Sequence, residues 1–311
     1  MTILPADISC EFLGLKMNNP LVLASGIIGT SADLLERAAH CGAGAVTSKS
    51  CSIEPRLGHP NPVAVEWEGG VINAVGLTNP GADLEVLMLI EAKTRLAALG
   101  VPLIASIFAS SVDQFGQVAA IISQAEPDLI EVNISCPNVG DEFGTPFAGS
   151  PESAAAVTEK VKASTHIPVC IKLAPNVPSI ARIALAVVKA GADAITAINT
   201  MPGMIIDAWA GRPVLSNRMG GISGSAIKPI ALRCVAEIRQ AVNVPIIGTG
   251  GITSGLDAAE MLMAGATIVG VGSSVWFRGP EVFEMINTEL IAFMESEGYS
   301  DLKSIRGIAL R

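Results

Sequence analysis

The sequence predicts an α/β fold, a (β/α)8 TIM barrel with an N-terminal hairpin and lid insertions, formed by a single domain over residues 1–311. Short apolar runs rich in Val and Ile alternate with amphipathic stretches of helical length, which is typical of βα units around a parallel sheet. Eight such runs occur in regular alternation, whereas a doubly wound sheet rarely needs so many. Active sites of such barrels lie where the strands end, so residues at those ends are candidates for function.

The predicted elements run from a hairpin over Ile8–Met17 to a closing helix over Gly279–Ser296. The eight strands are predicted at Leu21–Gly26, Ala45–Lys49, Pro102–Phe108, Leu129–Ser135, Val169–Ala174, Ala194–Asn199, Pro245–Gly250 and Thr267–Gly272. The helices predicted between them include Ala32–Cys41, Leu84–Leu99, Pro151–Ser164 and Ser179–Ala190.

Local signals support these boundaries. Ser150 is a capping residue followed by a first-turn proline. The Ala-Gly-Ala segments 190–192 and 264–266 supply the glycine that ends a helix. Two longer segments, Ser52–Asp83 and Thr200–Ala226, are predicted to be irregular insertions that cover the strand ends as lids.

Composition limits the partners of the chain. Half of the residues are hydrophobic and only 16% are charged, which is ample material for a large core. The net charge of −9 argues against nucleic acid or an anionic membrane as a partner. The first ten residues show no basic segment followed by a long apolar run, and no stretch is long enough to span a membrane, so a cytoplasmic protein is expected.

The metal-binding residue types are scattered. No C-x-x-C pair occurs among the six cysteines, and the three histidines form no cluster in the sequence. This spacing is not that of a zinc or iron–sulfur site, so the sequence predicts no metal on this chain. The cysteines are Cys10, Cys41, Cys51, Cys136, Cys170 and Cys234.

Two glycine-rich segments end the seventh and eighth predicted strands. They are Gly248-Thr-Gly-Gly251 and Gly270-Val-Gly-Ser273. The loops at these positions are the usual phosphate site of the barrel, because glycines let backbone N–H groups approach an anion. The glycines could also serve only as tight turns, but both pairs fit a phosphate-bearing cofactor such as flavin mononucleotide (FMN).

Two lysines also lie at predicted strand ends. Lysine is rarely buried without a partner, so Lys49 and Lys172 each indicate a nearby anion. Lys172 would suit the pyrimidine edge of a flavin, where negative charge develops on reduction. Lys49 would suit a substrate carboxylate. The alternative for each is a lysine whose charged end reaches solvent at the barrel rim.

The segment from Glu131 to Asn138 places Cys136 between two asparagines, Asn133 and Asn138. A thiol flanked by neutral amides suits removal of a proton from a polar heterocycle that is held by hydrogen bonds. The alternative is that Cys136 is one more small buried residue, since free cysteine is often buried.

Taken together, these segments resemble the class 1 dihydroorotate dehydrogenases, and most closely their class 1B branch, over nearly the whole chain. The matching segments are Ala24–Gly26, Ser48–Ser50, Asn73–Gly81, Asn133–Asn138, Ile171–Leu173, Ala197–Thr200, Gly221–Pro229, Gly250-Gly251 and Gly272-Ser273. The resemblance implies a TIM barrel that oxidises dihydroorotate to orotate on FMN in pyrimidine biosynthesis.

The resemblance also implies residue roles. Cys136 would be the base that takes the C5 proton while a hydride leaves C6. Substrate contacts are implied for Lys49, Asn73, Ala74, Val75, Gly76, Leu77, Asn133, Asn138, Asn199 and Thr200. Flavin contacts are implied for Ser25, Lys49, Ser50, Asn133, Lys172, Ile198, Gly224, Gly250, Gly251, Gly272 and Ser273.

The chain departs from the family pattern at three places. Ser106 stands where the family usually has an asparagine that contacts the flavin, and Val63 stands where many relatives have an arginine. The loop 139–149 carries Asp141 and Glu142 instead of the usual lysine- and glycine-rich sequence.

The class 1B resemblance implies a partner subunit that carries FAD and a [2Fe–2S] cluster and passes electrons to NAD+. The chain would then be the catalytic subunit, as a homodimer within a heterotetramer. Three alternatives stay open: a dihydropyrimidine dehydrogenase-like flavoenzyme, a non-catalytic flavin-binding subunit, and a phosphate-binding aldolase or isomerase without flavin.

Overall fold

The structure, a computed structural model, describes residues 6–134 and 147–311. Its strands are β1 Cys10–Phe12, β2 Leu15–Met17, β3 Leu21–Leu23, β4 Ala45–Thr47, β5 Ala64–Trp67, β6 Gly70–Asn73, β7 Leu103–Ile107, β8 Leu129–Asn133, β9 Val169–Leu173, β10 Ala194–Ala197, β11 Met201–Gly203, β12 Ile206–Asp207, β13 Arg212–Pro213, β14 Gly220–Ser223, β15 Ile246–Thr249 and β16 Ile268–Val271. Its α-helices are α1 Ala32–His40, α2 Ala82–Ala97, α3 Val112–Ile122, α4 Pro151–Lys162, α5 Ile180–Lys189, α6 Lys228–Ala241, α7 Gly255–Met263, α8 Ser274–Arg278, α9 Val282–Glu297 and α10 Leu302–Ile305.

Eight parallel strands close into a barrel in the order β10-β15-β16-β3-β4-β7-β8-β9. Each of them lies within one of the eight predicted strands, so the predicted (β/α)8 barrel is confirmed. The predicted hairpin is also present as the antiparallel pair β1 and β2. Several helices begin at a serine whose hydroxyl accepts a hydrogen bond from the first turn, as Ser150 does from the Ser153 N–H group.

Side chains on each barrel strand alternate between the helices and the barrel interior. The first interior layer is apolar, with Val22, Ile104, Leu129 and Ile247 among its members. Phe12 of the hairpin packs into this layer, so the hairpin closes the amino-terminal end of the barrel. Two residues further along the strands the interior becomes polar.

The two predicted insertions do cover the strand ends, but both contain regular strands, so the expectation that they are irregular was wrong. Strands from both insertions join in one antiparallel sheet, in the order β11-β14-β6-β5. Glycines allow this close pairing, because a Cβ atom at Gly70 would collide with the Ser223 carbonyl and one at Gly221 with Thr200. Glycine is disfavoured in strands on intrinsic propensity, and for that reason the glycine-containing strands β6, β11 and β14 escaped prediction. We call this four-stranded unit the lid sheet.

The described helices contain none that is both long enough and apolar enough to cross a bilayer.

The closure of the barrel by the hairpin generates a stability prediction. Phe12 is only 2% exposed, so Phe12→Ala should lower the free energy of unfolding by about 3–5 kcal/mol, through lost burial and the cavity left behind. Urea unfolding followed by circular dichroism measures this loss. Lys16→Ala on the neighbouring strand is the control, because this exposed side chain should change stability by less than about 0.5 kcal/mol. Equal stabilities of the two variants would contradict the assigned role of the hairpin.

Candidate active site

A cavity of about 500 Å³ opens at the carboxyl ends of the barrel strands, beneath the lid sheet. This volume lies in the range of ordinary small-molecule sites. Barrel residues such as Lys49, Lys172 and Gly272 form its floor and walls, while Asn73 and Ser223 reach it from the lid sheet.

The structure brings most of the predicted site residues into the lining of this one cavity. Ala74 is an exception, since its side chain is buried against Ile72 and Leu215, so a substrate contact there could involve only its backbone. Cys136 and Asn138 lie outside the described residues. The predicted residues that line the cavity are Ser25, Lys49, Ser50, Asn73, Val75, Gly76, Leu77, Asn133, Lys172, Ile198, Asn199, Thr200, Gly224, Gly250, Gly251, Gly272 and Ser273.

The glycine loops form one end of the cavity. Gly251 has a φ of +75°, and a Cβ atom there would lie 2.6 Å from the Cβ of Lys228, so both conformation and packing require glycine. Gly272 is different, because its φ is not positive and an added Cβ would meet nothing nearer than Ala24 at 3.7 Å. The space in front of Gly272 therefore belongs to the cavity, where a ligand group can approach the backbone closely.

The floor of the cavity holds a buried ion pair. The Nζ atom of Lys172 lies 3.4 Å from the Oε1 atom of Glu131 and donates a hydrogen bond to the Ser25 hydroxyl at 3.0 Å. Lys172 is paired across the barrel sheet with Asn133 on β8, so Glu131 lies one interior position below it. These two acceptors account for two of the three ammonium hydrogens of Lys172.

An amide cluster lines the cavity beside this pair. The Nδ2 group of Asn199 donates to the Oδ1 atom of Asn133 at 3.1 Å, and the Thr200 N–H group donates to the Oδ1 atom of Asn199 at 2.8 Å. Asn73 donates from the lid sheet to the Gly221 carbonyl at 3.4 Å. Carboxamides held in this way present fixed donors and acceptors, which suits a flat polar ring.

The structure places the two departures that fall within the described residues. Ser106 does not line the cavity; it is buried one layer below, 2.7 Å from the Ser50 hydroxyl and 3.4 Å from the Oε1 atom of Glu131. Val63 lies at the edge of the lid sheet, where its carbonyl accepts a hydrogen bond from the Ala74 N–H group.

Among the residues that sequence reasoning did not assign to this site, two make notable polar contacts. Glu131 is a carboxylate in an apolar strand. A charged side chain is rarely buried without a partner, and this argument, which was applied to Lys172, applies equally to Glu131. Trp276 lines the cavity mouth and donates to the Oε2 atom of Glu66 at 3.2 Å, which links α8 to the lid sheet. No signal in the sequence distinguishes Trp276 from a core aromatic residue.

A second buried carboxyl group lies behind Lys49. Glu85, in the first turn of α2, is 3% exposed, and its Oε1 atom has no hydrogen-bond partner among the described residues. Burial raises the pKa of Glu85 from 4.5 to about 7, although the Ser48 hydroxyl and the charge of Lys49 oppose this. Glu85 therefore titrates near neutral pH.

In the described part of the chain, no group of three or more His, Cys, Asp or Glu side chains could hold a metal ion. The absence of a metal stays a prediction.

The fold and the cavity together define a class: a (β/α)8-barrel protein with a cavity of small-molecule size between glycine loops, a buried lysine and an amide cluster. Comparison with known proteins narrows this class to one family. The sequence model described as "Dihydroorotate dehydrogenase" matches residues 7–294, so the chain belongs to the dihydroorotate dehydrogenase family.

Its curated relatives cover nearly the full chain. The chain is 45% identical over 297 residues to a protein of Methanosarcina mazei, covering 95% of this chain and 93% of that one. It is 43% identical over 298 residues to a protein of Methanothermobacter thermautotrophicus, with 95% and 96% covered. It is 42% identical over 303 residues to a protein of Pyrococcus abyssi, with 97% and 98% covered. All three are named "Dihydroorotate dehydrogenase B (NAD(+)), catalytic subunit".

The raised pKa of Glu85 generates a prediction for stability. Because its pKa is higher in the folded than in the unfolded chain, the folded state binds its proton more tightly, and stability falls as pH rises from about 4.5 to about 7. Glu85→Gln removes this loss, so the variant should gain roughly 3 kcal/mol at most over the parent at pH 8, and little at pH 4. Unfolding midpoints at the two pH values measure the gain.

The exposed Glu11→Gln is the matched control for this substitution and should change stability equally little at both pH values. If Glu85→Gln followed the pH profile of the parent, the assigned titration of Glu85 would be wrong.

Proposed function

We propose that this chain oxidises dihydroorotate to orotate on bound FMN, as the catalytic subunit of a dihydroorotate dehydrogenase of pyrimidine biosynthesis. The observation that carries the proposal is the composition of a single cavity. One end of the cavity is lined by glycine loops that suit a phosphate group. The other end is lined by lysines and amides that suit a polar ring and a carboxylate.

Family membership implies a flavin enzyme, and the cavity residues fit FMN in particular. The open space in front of Gly272 lets a phosphate approach the backbone, beside Gly250, Gly251 and Ser273. Lys172 and Ser25 would hold the pyrimidine edge of the flavin. When bound, FMN would supply the acceptor for the substrate hydride and would hold the two electrons until they pass on.

The amide cluster would hold the substrate ring. Asn73, Asn133 and Asn199 can match the alternating N–H and C=O groups of a dihydropyrimidine, and Lys49 can pair with its carboxylate. The lid sheet would keep water from the ring, because Asn73 on β6 belongs both to that sheet and to the cavity.

Cys136, three residues after Asn133, would be the base. Its sulfur would take the proton from C5 while the hydride leaves C6, so that the C5–C6 double bond of orotate forms. A thiol acts as a base only when it is ionised, so flavin reduction should become faster as pH rises toward the thiol pKa.

The electrons would pass to NAD+ through a partner subunit that carries FAD and a [2Fe–2S] cluster. The printed names of the relatives, which include both NAD(+) and "catalytic subunit", support this assembly. Large apolar side chains are exposed around the hairpin β12–β13, among them Trp209, which is fully exposed, and Ile206, which is 61% exposed. They support an interface with a second copy of the chain. We further propose that residues 1–311 form one domain and that the enzyme acts in the cytoplasm.

The visible spectrum of the purified chain tests the proposal. Anaerobic dihydroorotate should bleach a flavin band, whereas dihydrouracil, which lacks the carboxylate, should not. Cys136→Ala should keep its FMN and slow the bleaching by roughly 10²–10⁴-fold, the usual contribution of a positioned base. A preparation that binds no FMN, or a variant that bleaches at the parent rate, would contradict the proposal.

The electron acceptor can be tested separately. The isolated chain should reduce an artificial dye with dihydroorotate but should reduce NAD+ only after the partner subunit is added. Stopped-flow absorbance at the NADH band measures this, with the dye reaction as the control for an active preparation. Full-rate NAD+ reduction by the isolated chain would exclude the proposed partner.

A further inference from the structure

The carboxylate of Glu131 lies at the centre of the polar layer below the cavity. Ser25 and Ser106 donate to its Oε1 atom at 3.1 and 3.4 Å, and Thr196 donates to its Oε2 atom at 2.9 Å. With Lys172, this gives four donors around one carboxylate that is 3% exposed. Each carboxylate oxygen therefore accepts at least one hydrogen bond, and Lys172 is the ion-pair partner of the group.

These contacts also determine which group donates in two neighbouring hydrogen bonds, because each hydroxyl has a single hydrogen to donate. Ser106 uses its hydrogen on Glu131, so Ser50 is the donor in the 2.7 Å contact between the two serines. Thr196 likewise donates to Glu131, so the Cys170 thiol is the donor in its 3.1 Å contact with Thr196. Burial and the charge of Glu131 raise the pKa of Cys170, which keeps its hydrogen in place.

We propose that Glu131 is a positioning residue that holds Lys172 at the cavity floor. Glu131 also offsets part of the positive charge of the lysine and thereby lowers the reduction potential of the bound flavin. The inference rests on the proposed function, because it requires FMN in this cavity. Glu131 itself does not line the cavity and would not touch the flavin.

The sign of the effect follows from electrostatics. A lysine beside the flavin attracts the negative charge that develops at the pyrimidine edge on reduction, so it favours the reduced form. A carboxylate behind that lysine opposes this attraction, and the effect is strong because both groups are buried. Without the carboxylate, the reduced flavin would be bound more tightly relative to the oxidised flavin, and its potential would rise.

The test is the midpoint potential of FMN in the holoenzyme, measured against a reference dye. Glu131→Gln keeps the size of the side chain and an oxygen that accepts hydrogen bonds, but it removes the charge. We expect the ratio of the FMN dissociation constants, oxidised over reduced, to rise at least tenfold, which is about 30 mV upward for a two-electron couple.

Asp128→Asn is the matched control. It removes one negative charge from the ion pair with Lys93 at the amino-terminal end of the barrel, away from the cavity, and should leave the potential unchanged. An equal shift in this variant would overturn the inference, since loss of any carboxylate would then suffice.

A second variant, Glu131→Gln with Lys172→Met, tests whether the effect passes through the lysine. The double variant should have the same potential as Lys172→Met alone, and an upward shift between these two variants would overturn the inference. The double variant also keeps the test decisive if Glu131→Gln fails to fold because its lysine has lost the ion pair. Removing both charges should then restore the thermal stability. If stability did not return, the pairing would not be the cause and the inference would fail.

The outcomes separate this inference from the proposed function. A parent enzyme that binds FMN and is bleached by dihydroorotate, with an unchanged potential in Glu131→Gln, would overturn the inference alone. A parent that binds no flavin would overturn both.

Discussion

The closed parallel barrel is the constraint on which the site depends, because it brings the carboxyl ends of eight strands to one face. The period-two alternation along each strand then decides which side chains enter the interior. In this chain the interior passes from an apolar layer that contains Leu129, to a charged layer that contains Glu131, to a cavity wall that contains Asn133. One strand, β8, therefore supplies the core, the buried carboxylate and the amide cluster in turn.

The lid sheet adds a second constraint, which is close approach between two insertions far apart in the chain. Strand β6 pairs with β14 in the register Asn73 to Gly221, and glycines on both strands make this approach possible. Because Asn73 lines the cavity, this pairing sets the position of an amide over the amides of the barrel. The site is thus made partly by the barrel and partly by the lid sheet. Asn73 reaches its position only when both insertions pair in the lid sheet.

The sequence was sufficient for the barrel and for most of the cavity lining, because hydrophobic periodicity marks the strands and polar residues at their ends mark the site. It was insufficient where pairing is non-local. The glycines of β6 and β14 resemble loop residues until the partner strand is known, and the role of Ser106 depends on Glu131 beneath the cavity. No motif in the sequence indicates that the Ala74 side chain points away from the cavity, because this orientation depends on packing against Leu215.

The buried pair of Glu131 and Lys172 is poorly explained by stability. Removing two charges from water costs several kcal/mol per ion, and apolar residues of similar volume often stabilise a fold equally well or better. The apolar layer immediately below shows that this barrel can be filled with aliphatic side chains. A lysine at the cavity floor has a use when the ligand above it gains negative charge, and a buried counter-charge holds a lysine in that position. Under the proposed function, the redox chemistry accounts for the lysine, and the lysine accounts for the carboxylate.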